Sequence, residues 1–157
     1  MSQASSADTS VCRLTFGVIN IRSLTNKVDD VDPTSFELLC TRVVLGLFTF
    51  IVVVIYRPGS EAVSSTFFDN LSEILERLAG RRDPVYIVGD LSVRLDRADV
   101  SSSRQLTDLF NIYGFAVRET DLTHVRGGIL DVVAARCDLT PPHVTVHDVG
   151  LSDHHLL

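Results

Sequence analysis

Val85-Tyr86-Ile87-Val88-Gly89-Asp90 is a run of β-formers that ends on a glycine and a carboxylate. Four apolar or aromatic residues in succession read as a short, buried strand. A carboxylate at the C-terminal end of such a strand is rigidly held and faces a cleft, which suits a general base or a metal ligand. The same dipeptide can also be an Asp opening a turn.

Both flanks of this strand read as helices. Upstream, Phe67, Leu71, Ile74, Leu75 and Leu78 fall on one helical face, and Gly80 stands where a helix stop belongs. Downstream, Leu106, Leu109, Phe110 and Tyr113 mark a second amphipathic helix ahead of Gly114. Further strands are expected over Arg13–Ile21, Ser35–Cys40, Phe115–Val117, Ile129–Ala134 and His143–Val149. The apolar run Val43–Tyr56 is shorter than the ~20 residues of a membrane helix. Its β-branched content predicts two buried strands broken near Gly46. Strands alternating with helices give an α/β fold, and no membrane partner is expected.

The 157 residues suit one domain, with residues 1–11 a flexible tail and residues 12–157 the folded part. A hydrophobic fraction of 45% and a charged fraction of 22% are those of an ordinary globular chain. The net charge of −6 argues against tight, non-specific phosphate binding. It is compatible with carboxylates gathered around a divalent cation, which restores local positive charge. The cysteines (Cys12, Cys40 and Cys137) are odd in number and far apart. A thiolate zinc site and a disulfide framework are therefore not expected. The N-terminus has neither the basic nor the apolar region of a secretory signal, so an intracellular setting is expected.

Two further stretches carry chemistry. In Thr123-His124-Val125-Arg126-Gly127-Gly128-Ile129-Leu130-Asp131 a glycine turn feeds an apolar strand interrupted by Asp131. A carboxylate there is costly unless paired. A histidine partner would account for it, as would an edge strand with Asp131 facing water. Leu151-Ser152-Asp153-His154-His155 offers an Asp-His pair able to bind metal or contact a reacting phosphate. Vicinal histidines in extended chain point to opposite faces, so only one can enter a given cleft, and His154 is the better candidate.

Taken in order, Asn20-Ile21-Arg22-Ser23-Leu24, Tyr56-Arg57-Pro58, Gly89-Asp90, Thr123-His124 with Gly128, Leu130-Asp131 and Ser152-Asp153-His154 resemble the endonuclease/exonuclease/phosphatase superfamily. The strings around Tyr56, Gly127 and Asp153 are most similar to the apurinic-like endonucleases of non-long-terminal-repeat retrotransposons. The resemblance implies a four-layer α/β sandwich and hydrolysis of DNA phosphodiester bonds with Mg²⁺ or Mn²⁺. It implies that Asp90 orients or deprotonates the attacking water, that Asp131 orients His154, and that His154 and Tyr56 contact the phosphate. Asn20 and Asp153 would serve the metal, and Thr123, Ser92 and Arg22 would line the substrate. A reverse transcriptase domain on a parent polyprotein and a nuclear location follow by analogy.

Two departures from the family pattern bear on activity. Its Gly-Asp-x-Asn element reads Gly89-Asp90-Leu91-Ser92 here, which replaces an amide by a shorter hydroxyl. Its metal-binding Glu has no counterpart. The chain passes from Asn26-Lys27-Val28-Asp29-Asp30 straight to the strand-like Ser35-Phe36-Glu37-Leu38-Leu39, as if a piece were deleted near residues 31–34. Glu37 sits in that later strand and does not replace the missing Glu. The sandwich is thus expected to be incomplete and the activity weak or absent. The alternatives are a non-catalytic remnant acting as a binding module and a phosphoesterase of the same superfamily.

Overall fold

The computed structural model describes residues 35–157 other than 61, 119, 120, 126, 141, 149, 151–153, 156 and 157. The expected tail, the strand over Arg13–Ile21 and the junction near residues 31–34 lie outside the described residues. In chain order the elements are β1 (Glu37–Leu45), β2 (Phe48–Tyr56), α1 (Ser65–Ala79), β3 (Val85–Asp90), α2 (Ser101–Ile112), β4 (Phe115–Val117) and β5 (Asp131–Arg136). This is a mixed α/β fold, as the sequence pattern indicates.

The strands form one sheet in the order β1-β2-β3-β5-β4. Only β2 and β3 run parallel, which is why a helix, α1, has to cross between them. Alternation sets the faces. Ile51, Val53 and Ile55 of β2, Val85 and Ile87 of β3, and Val132 and Ala134 of β5 share one face. Both helices pack there through Phe67, Phe68, Leu71, Ile74, Leu75 and Leu78 of α1 and Leu106 and Phe110 of α2. Side chains of the opposite register, Phe50, Val88, Val133 and Ala135, are buried too, on the other face.

Local signals explain the helix ends. Ser64 Oγ accepts the Phe67 N–H at 3.2 Å and caps α1. Gly80 ends α1 in right-handed geometry, so its freedom to turn left is not used. Gly114 does turn left after α2, with φ +75°.

Four expectations are corrected. Expected strand residues Glu37–Cys40 and Val43–Leu45 belong to one strand, because Arg42 keeps its place in the ladder opposite Ile51 and only its side chain reaches out, to Asp83 at 3.2 Å. The run Val43–Tyr56 is not buried throughout. Pairing of β2 with β3 begins only at Ile51, so the hairpin overhangs the sheet and Val44, Leu45, Leu47 and Phe48 are exposed. The turn itself is Gly46-Leu47, left-handed only at Gly46, which fits a type II′ hairpin. The last strand starts at Asp131, because Leu130 and Ile129 give their carbonyls to the Leu91 and Leu95 N–H groups of the loop after β3. Finally, residues 143–148 form no strand.

Gly89 is the tightest point of the sheet. Its φ is +135°, and a Cβ placed on it would lie 2.0 Å from the Ile55 carbonyl oxygen of the neighbouring strand. Gly89→Ala should therefore force β2 and β3 apart beside the site. We expect a loss of about 3 kcal/mol or more in urea denaturation; a loss below about 1 kcal/mol would mean that the strands tolerate the side chain.

Candidate functional site

The site stands at the end of the sheet where β2 and β3 finish and β5 begins. In the ladders Tyr56 pairs with Asp90, and Asp90 with Asp131. Ladder partners share a face, so the three residues form a row across β2, β3 and β5 on the side away from the helices. Both carboxylates are buried. β4 reaches β5 only at Ala134–Arg136, but Asp131 is buried and gives its N–H to Thr123 Oγ1, so it does not face water from an exposed edge.

His154 lies against both acids, its side chain 11% exposed. Nδ1 is 3.0 Å from Asp131 Oδ2. A carboxylate in its ionised form can only accept, and against that form Nδ1 is the donor. That bond turns Nε2 towards Asp90 Oδ2, 3.5 Å away, an ion-pair distance and not a hydrogen bond. The expected pairing of Asp131 with His154 is thus present, and only one of the two vicinal histidines enters the cleft. His155 turns away, with its ring Nδ1 3.0 Å from the Leu122 carbonyl.

Asp90 is held from below. Its Oδ1 accepts the Ser92 N–H at 2.6 Å and lies 3.1 Å from Ser92 Oγ. The same hydroxyl is 3.1 Å from the Arg57 carbonyl, so its single proton serves one acceptor at a time. Ser92 has φ +48°, the one described residue other than glycine in left-handed geometry. Asparagine tolerates that region better than serine does. Burial pushes the Asp90 carboxyl above its ordinary range, and the Asp131 charge adds to this, while the Ser92 N–H and His154 pull it back.

Thr123 is fully buried. Its Oγ1 accepts the N–H groups of Leu130 and Asp131 at 3.1 and 3.2 Å, so it fixes the entry of β5 and the direction of Asp131. Asn20, Arg22 and Asp153 lie outside the described residues. The structure therefore brings together Asp90, Asp131 and His154, with Tyr56 in the same row, and places Ser92 and Thr123 directly beneath them.

Two residues of the quoted motifs, Arg57 and His124, carried no expected role. Arg57 is buried and gives Nε to the Leu91 carbonyl at 2.7 Å and Nη2 to the Ser92 carbonyl at 2.9 Å, clamping the loop that carries Asp90. Its guanidinium also lies over the Phe67 ring at 5.6 Å. The signal was available: Ile51, Val53 and Ile55 set an inward phase, and Arg57 is its next member. His124, the second residue, forms an isolated antiparallel bridge with His154, and their rings meet edge to face at 5.0 Å.

One ligand atom each from Asp90, Asp131 and His154 lies within 4.8 Å of the others, so the cluster can in principle hold a metal ion. Two carboxylate oxygens and an imidazole nitrogen fit a divalent cation, and the nitrogen suits Mn²⁺ better than Mg²⁺, which prefers oxygen. Among the described residues no helix is long and apolar enough to cross a membrane. Comparison with protein-family models and with the curated proteins returns no match.

The raised Asp90 pKa has a sign that can be checked. Native Asp90 binds its proton more tightly than the unfolded chain does, so its contribution to stability falls as pH rises from the unfolded value, about 4, through the native one. In metal-free buffer Asp90→Asn, which keeps an Oδ1 acceptor for Ser92, should match the wild type near pH 4 and unfold at a higher temperature at pH 7. Added Mn²⁺ should raise the midpoint of the wild type and not that of the variant. Equal midpoints at pH 7 and equal responses to Mn²⁺ would contradict both expectations.

Proposed function

We propose that this chain is a metal-dependent phosphodiester hydrolase domain of the endonuclease/exonuclease/phosphatase kind, similar to the endonucleases of non-long-terminal-repeat retrotransposons, with reduced activity on DNA. The observation that carries the proposal is the Tyr56-Asp90-Asp131 row with His154 across its two carboxylates. These residues come from four separated stretches, each of which the resemblance names for a role in the reaction: Tyr56 and His154 at the phosphate, Asp90 on the attacking water and Asp131 in orienting His154.

In this reading Asp90 orients a water and takes its proton as the water oxygen bonds to phosphorus. The opposite P–O bond breaks in line, and the leaving oxygen takes a proton from solvent. Asp131 keeps His154 in one tautomer and orientation, and His154 stabilises the charge that builds on the phosphate oxygens. Tyr56 contacts the same phosphate. Asp90, with Asn20 and Asp153, would hold a divalent cation, which when bound supplies Lewis-acid polarisation of the phosphate. The fold proposed with this function is the α/β sandwich of the family. Its support is the buried apolar face formed by Phe50, Val88, Val133 and Ala135, opposite the helices, where a second sheet would pack.

Low activity follows from Ser92 and from the missing Glu. Loss of one fixed donor costs on the order of 10²–10³ in rate. Ser92→Asn restores the amide and also relieves the left-handed serine, so it should raise both the unfolding temperature and the rate of nicking. The measurement is relaxation of supercoiled plasmid with Mn²⁺. The wild type should nick slowly, Ser92→Asn faster, and Asp90→Ala and His154→Ala not at all. A wild type that neither nicks DNA nor binds the cation would overturn the proposal.

A further inference from the structure

We infer that His124 is a positioning residue for His154, and that the stretch Leu122–His124 is the cradle that sets the orientation of the reacting imidazole. The inference rests on the hydrolytic reading above for its purpose, but its geometry stands separately.

His154 arrives from a segment outside the sheet ladders, so the sheet alone does not orient it. Three contacts do, all from one side. The His124 and His154 backbones form an antiparallel bridge. The His155 N–H donates to the Thr123 carbonyl at 2.8 Å. The His155 ring lies 3.0 Å from the Leu122 carbonyl. These fix the main chain of the segment but leave rotation about the His154 side-chain bonds open. Contacts at the ring restrict that rotation, among them Asp131 at Nδ1, 3.0 Å away, Asp90 at 3.5 Å from Nε2, and the His124 ring, edge to face at 5.0 Å with the planes 85° apart.

The Asp131 bond alone fixes one atom, about which the imidazole could still swing. The aromatic wall of His124 adds a steric constraint on the ring plane, which helps to keep Nε2 directed at the Asp90 side of the cleft. The same stretch also sets Asp131, because Thr123 Oγ1 receives the Asp131 N–H at 3.2 Å. One loop therefore aligns both halves of the Asp131–His154 pair. The contact demanded of His124 is that of a flat ring, which a phenyl group can reproduce.

The test compares His124→Ala with His124→Phe in the full chain. The first readout is the proton on His154 Nδ1, which is shielded from exchange while it is bonded to Asp131. In low-temperature NMR it should appear far downfield in the wild type and in His124→Phe, and vanish in His154→Gln, which assigns it. In His124→Ala it should broaden or be lost while the amide spectrum of the sheet is retained. The second readout is plasmid nicking, where His124→Ala should lose roughly 10–100-fold in kcat with KM little changed, and His124→Phe should recover most of it. An unchanged Nδ1 proton in His124→Ala, or a His124→Phe variant as impaired as His124→Ala, would overturn the inference. A wild type with the expected proton signal that neither nicks DNA nor binds Mn²⁺ would overturn the hydrolytic reading and leave the positioning intact.

Discussion

Two buried carboxylates facing each other across neighbouring strands repel, and the site depends on how that repulsion is offset. Asp90 and Asp131 are ladder partners on β3 and β5. Like charges in that relation destabilise a sheet, and burial removes the water that would screen them. His154 spans the pair, bonded to one acid and within ion-pair distance of the other. Below it, the Ser92 N–H supports Asp90 and the Thr123 hydroxyl supports the backbone of Asp131. Asp90 still carries the strain as a raised carboxyl pKa. A divalent cation, which neutralises charge without adding a side chain, is the natural complement of such an arrangement.

Much of this was legible from periodicity. The faces of α1 and α2, the buried strand β3 and the hairpin break at Gly46 all follow from apolar spacing and glycine placement. Asp131 could be flagged because a carboxylate inside Ile129–Val133 is costly alone. Which explanation applied could not be read, since pairing with His154 joins residues far apart in sequence. The exposure of Val44, Leu45, Leu47 and Phe48 was illegible for a similar reason. It depends on where β3 begins to pair, a property of the neighbouring strand. Residues 143–148 have strand-like composition, yet among them only His147 makes a bridge, so propensity alone misled. Arg57 was missed because its charge masked an inward phase that its neighbours had already set.

Gly89 and Ser92 show how closely fold and chemistry are joined in the loop after β3. The glycine lets β2 and β3 approach so that Tyr56, Asp90 and Asp131 line up, and the left-handed serine turns the chain back to place its N–H on Asp90. Arg57 then closes the loop from beneath with two carbonyl acceptors. The carboxylate is thus held by backbone conformation as much as by side-chain partners, which is how a strand end becomes a rigid platform.

The attachment of His154 differs in kind from that of the two acids. Asp90 and Asp131 are built into ladders and cannot leave without breaking the sheet. The imidazole is joined through a bridge, a few loop hydrogen bonds and a ring contact. Proteins open locally at such low-density attachments far more often than they unfold as a whole. Loss of this attachment would leave the sheet intact and the two acids without the imidazole between them. Assembly of the site is then a separate equilibrium from folding of the domain, and anything that grips His154, Asp90 and Asp131 together, a cation or a bound phosphate, acts on that equilibrium first.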